Sequence, residues 1–421
     1  MDVWLIFHQF FVLGLVSFGG PAAHIGYFKK RFVDELHWLD AHHYSSFVAL
    51  SQVVPGPGSS QVGFAIGYHK GGLLGALSAF VGFTLPSFVL MYFLAVGSVH
   101  WLDMPWFTGL IHGLKLMAVV VVFDAVITML RQFCRHLRTQ VLMMLAAVIT
   151  LWSVTLWSQL AVLIAAAFVG RLWLTPEAVE PSTFKVAKSS AKKTKQSSSV
   201  SDETSSNLVE NTPNSPSQLK LSLRWLIVFG LLFIVTLLLL QFSQPLSRLF
   251  AQFYQAGALV FGGGHVVLPL LEMSVGQSMD SERFLTGYAM AQAVPGPMFS
   301  LAAFLGAELV QDAPLVGALI ATMGIFLPGF LLVLTVFHHW QLVMSHPSLR
   351  GAISGVNAAV VGLLLAALIS PVISSAMNSL VDLLLVLVGW VLLKQLRLNI
   401  LWLLLFFSVC GVGLSLLPNL L

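Results

Sequence analysis

The second half of this chain repeats the first, block by block. Phe18-Gly19-Gly20 returns as Phe261-Gly262-Gly263, 243 positions later. Gln52 with Pro55-Gly56-Pro57 returns as Gln292 with Pro295-Gly296-Pro297, 240 positions later. Gly75-Ala76, Leu85-Pro86 and Phe88 return as Gly317-Ala318, Leu327-Pro328 and Phe330, and Gly109 and Gly113 as Gly351 and Gly355, all at an offset of 242. Four blocks in one order at a nearly constant offset mark a duplication.

Each copy carries six apolar runs near the roughly 20 residues that a spanning helix needs. They lie at about 3–18, 45–67, 73–99, 107–130, 141–157 and 159–173, then 246–271, 284–308, 314–337, 351–374, 380–393 and 400–417. A further run, 225–240, has no counterpart. Hydrophobic residues make up 57% of the chain and charged ones 9%, against roughly 25% charged in an average soluble domain. Lipid can cover such an apolar excess; water cannot. The expected fold is an all-α integral membrane protein with about thirteen transmembrane helices. Its parts are an N-terminal membrane repeat (1–174), a disordered cytoplasmic linker (175–222), a connecting transmembrane helix (223–241) and a C-terminal membrane repeat (242–421). The linker follows from the polar, Ser/Lys-rich stretch around Lys192-Lys193, Ser197-Ser198-Ser199 and Thr212-Pro213. The first apolar run has neither a basic n-region nor a small-residue cleavage pattern, and is expected to stay as a span.

An even number of spans per copy plus one extra helix turns the second copy upside down, a plan that recurs in secondary transporters. With the N-terminus cytoplasmic and the C-terminus periplasmic, Lys70, Arg131, Arg135, Arg138, Arg171, the linker lysines, Arg224, Arg283, Arg350, Lys394 and Arg397 fall inside, in keeping with the positive-inside rule. Lys29-Lys30-Arg31 violates it. Either that segment is an external amphipathic helix, or 45–67 is a re-entrant hairpin. The first is preferred, because two matching hairpins, at 45–67 and its counterpart, would strand Arg350, Lys394 and Arg397 outside.

The candidate chemistry lies at the breaks. Gly19, Gly20 and Pro21, with Gly262, Gly263 and Gly264, end apolar helices. Pro55, Gly56 and Pro57, with Pro295, Gly296 and Pro297, interrupt apolar runs midway. Proline removes a backbone donor and glycine admits left-handed geometry. A helix broken at membrane depth exposes backbone groups, which is tolerable only in protein or beside a wet cavity. The half-helix that follows aims its N–H groups and positive dipole end at that cavity, a ready anion site. A plain kink or close packing at small residues is the alternative, and the pairing of the motifs argues against it. Gln52, Gln292 and Asn357 add donors. Lys115, the repeat partner of Asn357, adds positive charge, unless it snorkels to a helix end. Asp124 and Glu308, embedded in apolar sequence, are proton-coupling candidates unless they serve as ion-pair partners. His24 and His265, just after the glycine motifs, have the ordinary pKa for proton exchange, but for either residue alone a structural hydrogen bond at an interface is the favoured reading.

Nothing points to an enzyme, a cofactor or a metal: there is no Walker A loop, no HExxH and no nucleophile elbow, and Cys134 and Cys410 stand apart. The net charge of +4 is scattered between apolar runs or held in the linker, so nucleic acid is not an expected partner; the lipid bilayer is. Oligomeric state is left open, a homodimer included.

Phe18-Gly19-Gly20-Pro21-Ala22-Ala23-His24-Ile25, the two Pro-Gly-Pro motifs and Phe261-Gly262-Gly263-Gly264-His265-Val266-Val267-Leu268-Pro269 resemble the chromate ion transporter (CHR) family in its long, two-domain bacterial form. The resemblance covers all but the linker. It implies a bacterial cytoplasmic (inner) membrane protein that exports chromate, driven by protons, and confers chromate resistance. The residues alone leave sulfate, another oxyanion or a passive anion channel as alternatives, since sulfate matches chromate in charge and shape.

Overall fold

The computed structural model describes residues 2–101, 104–153, 156–174, 222–241, 244–261, 267–275, 278–279, 281–337, 347–396 and 398–416. Most of the expected linker and Gly262, Gly263, Gly264 and His265 lie outside the described residues. The described chain is helical, with no strand among those residues. In the first copy the helices are α1 (Val3–Val16), α2 (Gly20–Lys29), α3 (Ala41–Val53), α4 (Gly58–Trp101), α5 (Pro105–Phe133), α6 (Leu137–Trp152) and α7 (Leu156–Trp173). The connecting helix is α8 (Leu223–Leu239). The second copy holds α9 (Pro245–Leu259), α10 (Val267–Val275), α11 (Ser281–Ala293), α12 (Leu301–Leu309), α13 (Pro314–Val336), α14 (Pro347–Ala367), α15 (Leu380–Lys394) and α16 (Ile400–Leu416). Four helical stretches are long and apolar enough to cross a bilayer, at Gly58–Gly97, Pro105–Phe133, Pro314–Val336 and Ser348–Ala376, with shorter apolar helices beside them. The protein is a multi-pass integral membrane protein.

The breaks send the chain back on itself. After α1, Gly19 and Gly20 take φ of +98° and +74°, and α2 folds back along α1. Phe10 then meets Phe28 and Phe32 with ring centroids 5.6 and 4.7 Å apart, and Arg31 donates to Gln9 Oε1 from Nε and Nη2 at 2.9 and 2.7 Å. The second copy repeats this step, with Gln252 Nε2 donating to Ser274 O at 2.6 Å.

A second hairpin follows in each copy. In the first, α3 and residues 58–70 of α4 are its arms and Val54–Pro57 its tip. Its foot is closed by His43 and Phe47 against His69, at 5.8 and 5.9 Å between ring centroids. In the second copy, Arg283 at the start of α11 holds both oxygens of Glu308 at the end of α12, at 2.7 and 2.8 Å. The run 45–67, expected as a full span, is therefore a hairpin with its feet together, and the count of thirteen spans does not carry over. The physical reason is the tip: Gly56 takes φ +134°, which reverses the chain where a kinked helix would have continued. Beyond it, Gly71 (φ −143°) and Gly72 (φ +59°) divide α4, and residues 73–101 run on as a long helix.

The hairpins of the two copies approach from opposite ends of α13. At its start, Gly317 packs against Gly306 of α12. Just past its end, Phe337 meets Phe47 and Tyr68 at 5.3 and 4.9 Å. Twenty-three residues at 1.5 Å each separate those ends by roughly 34 Å.

The remaining helices are exchanged between copies. Gly109 and Gly113 of α5 lie against Gly411 and Phe407 of α16, while Gly351 and Gly355 of α14 lie against Gly170 and Ala166 of α7. Added Cβ atoms there would strike backbone oxygens. Small residues let helix backbones approach closely, the main source of packing energy between helices in lipid.

Candidate functional site

The hairpin tips meet at the centre of this arrangement. The Gly56 N–H donates to Val260 O at 2.7 Å, and the Gly296 N–H donates to Ser17 O at 2.9 Å. Each Pro-Gly-Pro tip thus ties to the break after the first helix of the other copy. Both glycines have positive φ, +134° and +102°. Each also lies against the residue that follows a helix-interior proline: Gly56 against Gly329, after Pro328, and Gly296 against Ser87, after Pro86. Those prolines have no N–H to offer the carbonyls of Gly82 and Gly324 one turn earlier.

Polar side chains converge here. Gln61 Nε2 donates to Pro55 O at 2.8 Å and Gly329 O at 3.3 Å, stapling the first tip to α13. His24 Nδ1 and Ser59 Oγ pair at 3.2 Å, joining α2 to α4. Ser17 Oγ, Ser60 Oγ, Gln61 Oε1 and Thr84 Oγ1 are buried without a hydrogen-bond partner. A buried polar atom in a native fold has a partner in the great majority of cases, so four unpaired atoms around one crossing indicate a place built for something polar. Helix starts face the same region: α2 begins at Gly20 with Pro21 in its first turn, α4 begins at Gly58, and a short 3-10 turn begins at Met298 after Pro297. Gly20 looks onto Met298. None of the side chains named at the crossing is acidic, and helix-start N–H groups and the hydroxyls of Ser17, Ser60 and Thr84 suit an anion.

The other expected residues are distributed more widely. Gln52 is exposed and its counterpart Gln292 buried. Lys115 is buried on α5, and its Nζ donates to Glu282 Oε1 at 2.9 Å; the carboxylate is 73% exposed. Asn357, its counterpart on α14, is buried with Oδ1 unpaired. Asp124 Oδ1 lies 2.5 Å from Lys394 Nζ, an ion pair without good hydrogen-bond geometry. Glu308 belongs to the Arg283 clamp.

Sequence reasoning passed over Ser17, Ser59, Ser60, Gln61, Thr84 and Ser87. A signal existed for three of them, since Ser59-Ser60-Gln61 is a polar triplet directly after Pro-Gly-Pro in an otherwise apolar run. It also missed buried Asp382, which accepts from the Asn378 and Ser379 N–H groups at 3.0 Å and pairs with His112 at 2.7 Å. No group of three or more potential metal ligands occurs among the described residues.

Paired broken-helix hairpins inside a bundle of apolar helices define a polytopic membrane protein of the transporter class, built from a duplicated unit. The chain belongs to the chromate transporter family, which it matches over residues 4–171 and 247–412. It is 28% identical to a chromate transport protein of Pseudomonas aeruginosa over 369 residues, 85% of this chain and 78% of the relative. It is 25% identical to a chromate transport protein of Cupriavidus metallidurans over 378 residues, 89% and 82% of the two chains. An uncharacterized transporter of Methanocaldococcus jannaschii is 25% identical over 364 residues, 86% and 82%. No solved structure matches the chain.

Proposed function

We propose that this protein is a secondary transporter that exports chromate across the bacterial cytoplasmic membrane in exchange for protons, and so confers chromate resistance. The observation that carries this reading is the tip-to-tip crossing, where helix starts and the unpaired buried hydroxyls of Ser17, Ser60 and Thr84 surround the reciprocal Gly56–Val260 and Gly296–Ser17 bonds. A tetrahedral dianion is bound by such groups without a cationic side chain at every oxygen. Lys115, held by Glu282 beside the foot of the second hairpin, supplies positive charge on the way to the crossing and exchanges Glu282 for substrate, while Gln292 and Asn357 contribute polar contacts. Gly262, Gly263, Gly264 and His265 take the roles of Gly19, Gly20, Pro21 and His24 in the second copy.

We read the copies as inverted, each with two re-entrant hairpins and four crossing helices. With α8 the total is nine crossings, still odd, so the termini lie on opposite sides. This reading places Lys29, Lys30 and Arg31 inside with Lys70, Arg350 and Lys394, and leaves Arg248 and Arg283 outside. Transport is rocking of one copy against the other about the crossing.

Sulfate offers the same charge and shape and is the second reading. Proteoliposomes loaded with protein, assayed for labelled chromate uptake with sulfate as competitor and with or without an imposed pH gradient, separate the two. Chromate movement that ignores the pH gradient overturns the exchange mechanism, and preferential sulfate movement overturns the substrate.

A further inference from the structure

Away from the crossing, a cavity of about 80 Å³ opens between α6, α7, α10 and α14. Its polar lining is Glu272, Gln159, Thr150 and Ser370, and Ala366 and Ala367 complete it on the α14 side. Glu272 lies on α10 and has no hydrogen-bond or ion-pair partner among the described residues. Gln159 is fully buried, and both its Nε2 and its Oε1 are unpaired. The α14 wall is broken backbone. A π turn runs over Leu368–Ile373, Ser370 is extended (φ −140°, ψ 119°), and Pro371 follows it. Pro371 has no N–H to give Ala367 in an α-helical register or Ala366 in a π register, and both residues line the cavity. Unwound carbonyls beside a carboxyl group are how broken transporter helices hold a coupling cation.

We propose that Glu272 is the proton-binding group that couples the transporter to the pH gradient, with Gln159 as its partner in both protonation states. The inference rests on the exchange reading above and supplies its proton site. A carboxamide suits this task. Its Nε2 donates to the carboxylate, and its Oε1 accepts from the carboxylic acid, directly or through water, for which the cavity has room. The reaction is one proton added to a carboxylate oxygen and later released, with no other bond changed. The site is confined to one copy: at the offset that relates α2 to α10, the first copy has Lys29. Charged groups on the elements packed against α10 are Arg248 on α9, Glu282 and Arg283 on α11, Arg350 on α14 and Arg171 on α7, and none of these lines the cavity.

Infrared difference spectra of the purified full-length protein, taken between alkaline and acidic buffer, test the site without transport. A carboxylic-acid carbonyl band is expected on acidification, absent in Glu272→Gln and moved to a different midpoint pH in Gln159→Leu. An identical band in Glu272→Gln, an unmoved midpoint in Gln159→Leu, or a band that responds to Na⁺ in place of pH overturns the proposal. In proteoliposomes, Glu272→Gln is expected to keep chromate counterflow, which needs no net proton movement, and to lose acceleration by a pH gradient. Acceleration retained in Glu272→Gln also overturns it. Wild-type protein that shows no counterflow sinks the transport reading instead, and the spectroscopic result then stands alone.

Discussion

Gly56 gives its backbone N–H to the carbonyl of Val260 at 2.7 Å, and the matching pair, Gly296 and Ser17, repeats the bond at 2.9 Å in the opposite sense. At a break buried away from water, a backbone donor has to find a partner in the protein. Here each copy supplies the acceptor that the other lacks. The duplication is thus an energetic requirement as well as an architectural one: one copy alone would leave its tip N–H unpaired, at a cost of about 1–3 kcal/mol.

Alanine at the two tip glycines separates backbone from side-chain constraint. A Cβ at Gly56 would sit 2.8 Å from Gly329 Cα, whereas one at Gly296 would meet Ser87 Oγ at 2.9 Å. Both substitutions also force a positive φ on an L-residue, at about 1–3 kcal/mol. Gly56→Ala is expected to lower the thermal midpoint further than Gly296→Ala, because backbone cannot yield. Adding Ser87→Gly should recover part of the Gly296→Ala loss. No recovery in the double variant, by fluorescence-detected melting in detergent, would show that the Ser87 contact does not limit the tip.

Lys115 and Glu282 form an unequal pair, the ammonium 7% exposed and the carboxylate 73%. An incoming oxyanion can take the carboxylate's place. We expect Lys115→Ala to weaken sulfate or chromate binding about tenfold, roughly 1.4 kcal/mol, and Glu282→Gln to tighten it by removing the internal competitor. Calorimetric titration of both variants checks this. Unchanged affinity in Lys115→Ala with a lowered melting point would make the pair structural.

The duplication, the apolar helices and the breaks at Gly19-Gly20 and at the two Pro-Gly-Pro motifs were legible because they are local, whereas the break at Ser370-Pro371, inside the run 351–374, was not singled out. Direction was not legible. Hydropathy registers that residues 45–67 are apolar, and both arms of a hairpin enclosed by other helices are as apolar as a span. What turns the chain is the φ of Gly56, held by an acceptor in the other copy. The same distance in sequence hid the partners of Lys115 and Asp124, which are Glu282 and Lys394. In the nine-crossing arrangement proposed above, the Lys29-Lys30-Arg31 anomaly would also disappear, since two hairpins per copy leave the parity of crossings unchanged.

Arg283 and Glu308 close the foot of the second hairpin from half-buried positions, 18% and 9% exposed. Removing one partner leaves the other charged and poorly solvated. Arg283→Ala is expected to cost about 3–5 kcal/mol, and Glu308→Gln, which keeps an acceptor, about 1–2 kcal/mol. Glu308→Gln should leave the pH-gradient dependence of uptake intact. If coupling disappears while the melting point holds, Glu308 is a proton carrier and its pairing with Arg283 is one state of a cycle.

Side-specific labelling distinguishes hairpins from spans. Two hairpins ahead of residues 73–101 put position 30 on the same side as position 70, whereas a spanning α1 followed by a spanning 45–67 puts them on opposite sides. Position 312, at the foot of the second copy's hairpins, belongs on the far side in the hairpin arrangement. Single cysteines at Lys30, Lys70 and Asp312, in a background lacking Cys134 and Cys410, are to be probed in intact cells and in inverted vesicles with a membrane-impermeant maleimide. The expected outcome is that Lys30 and Lys70 label only in inverted vesicles and Asp312 only in intact cells. Periplasmic labelling at Lys30 with cytoplasmic labelling at Lys70 would restore full spans at 3–18 and 45–67. In that case the ring contacts of Phe10 with Phe28 and Phe32, and the tie between Arg31 and Gln9, could not exist in the membrane-embedded protein.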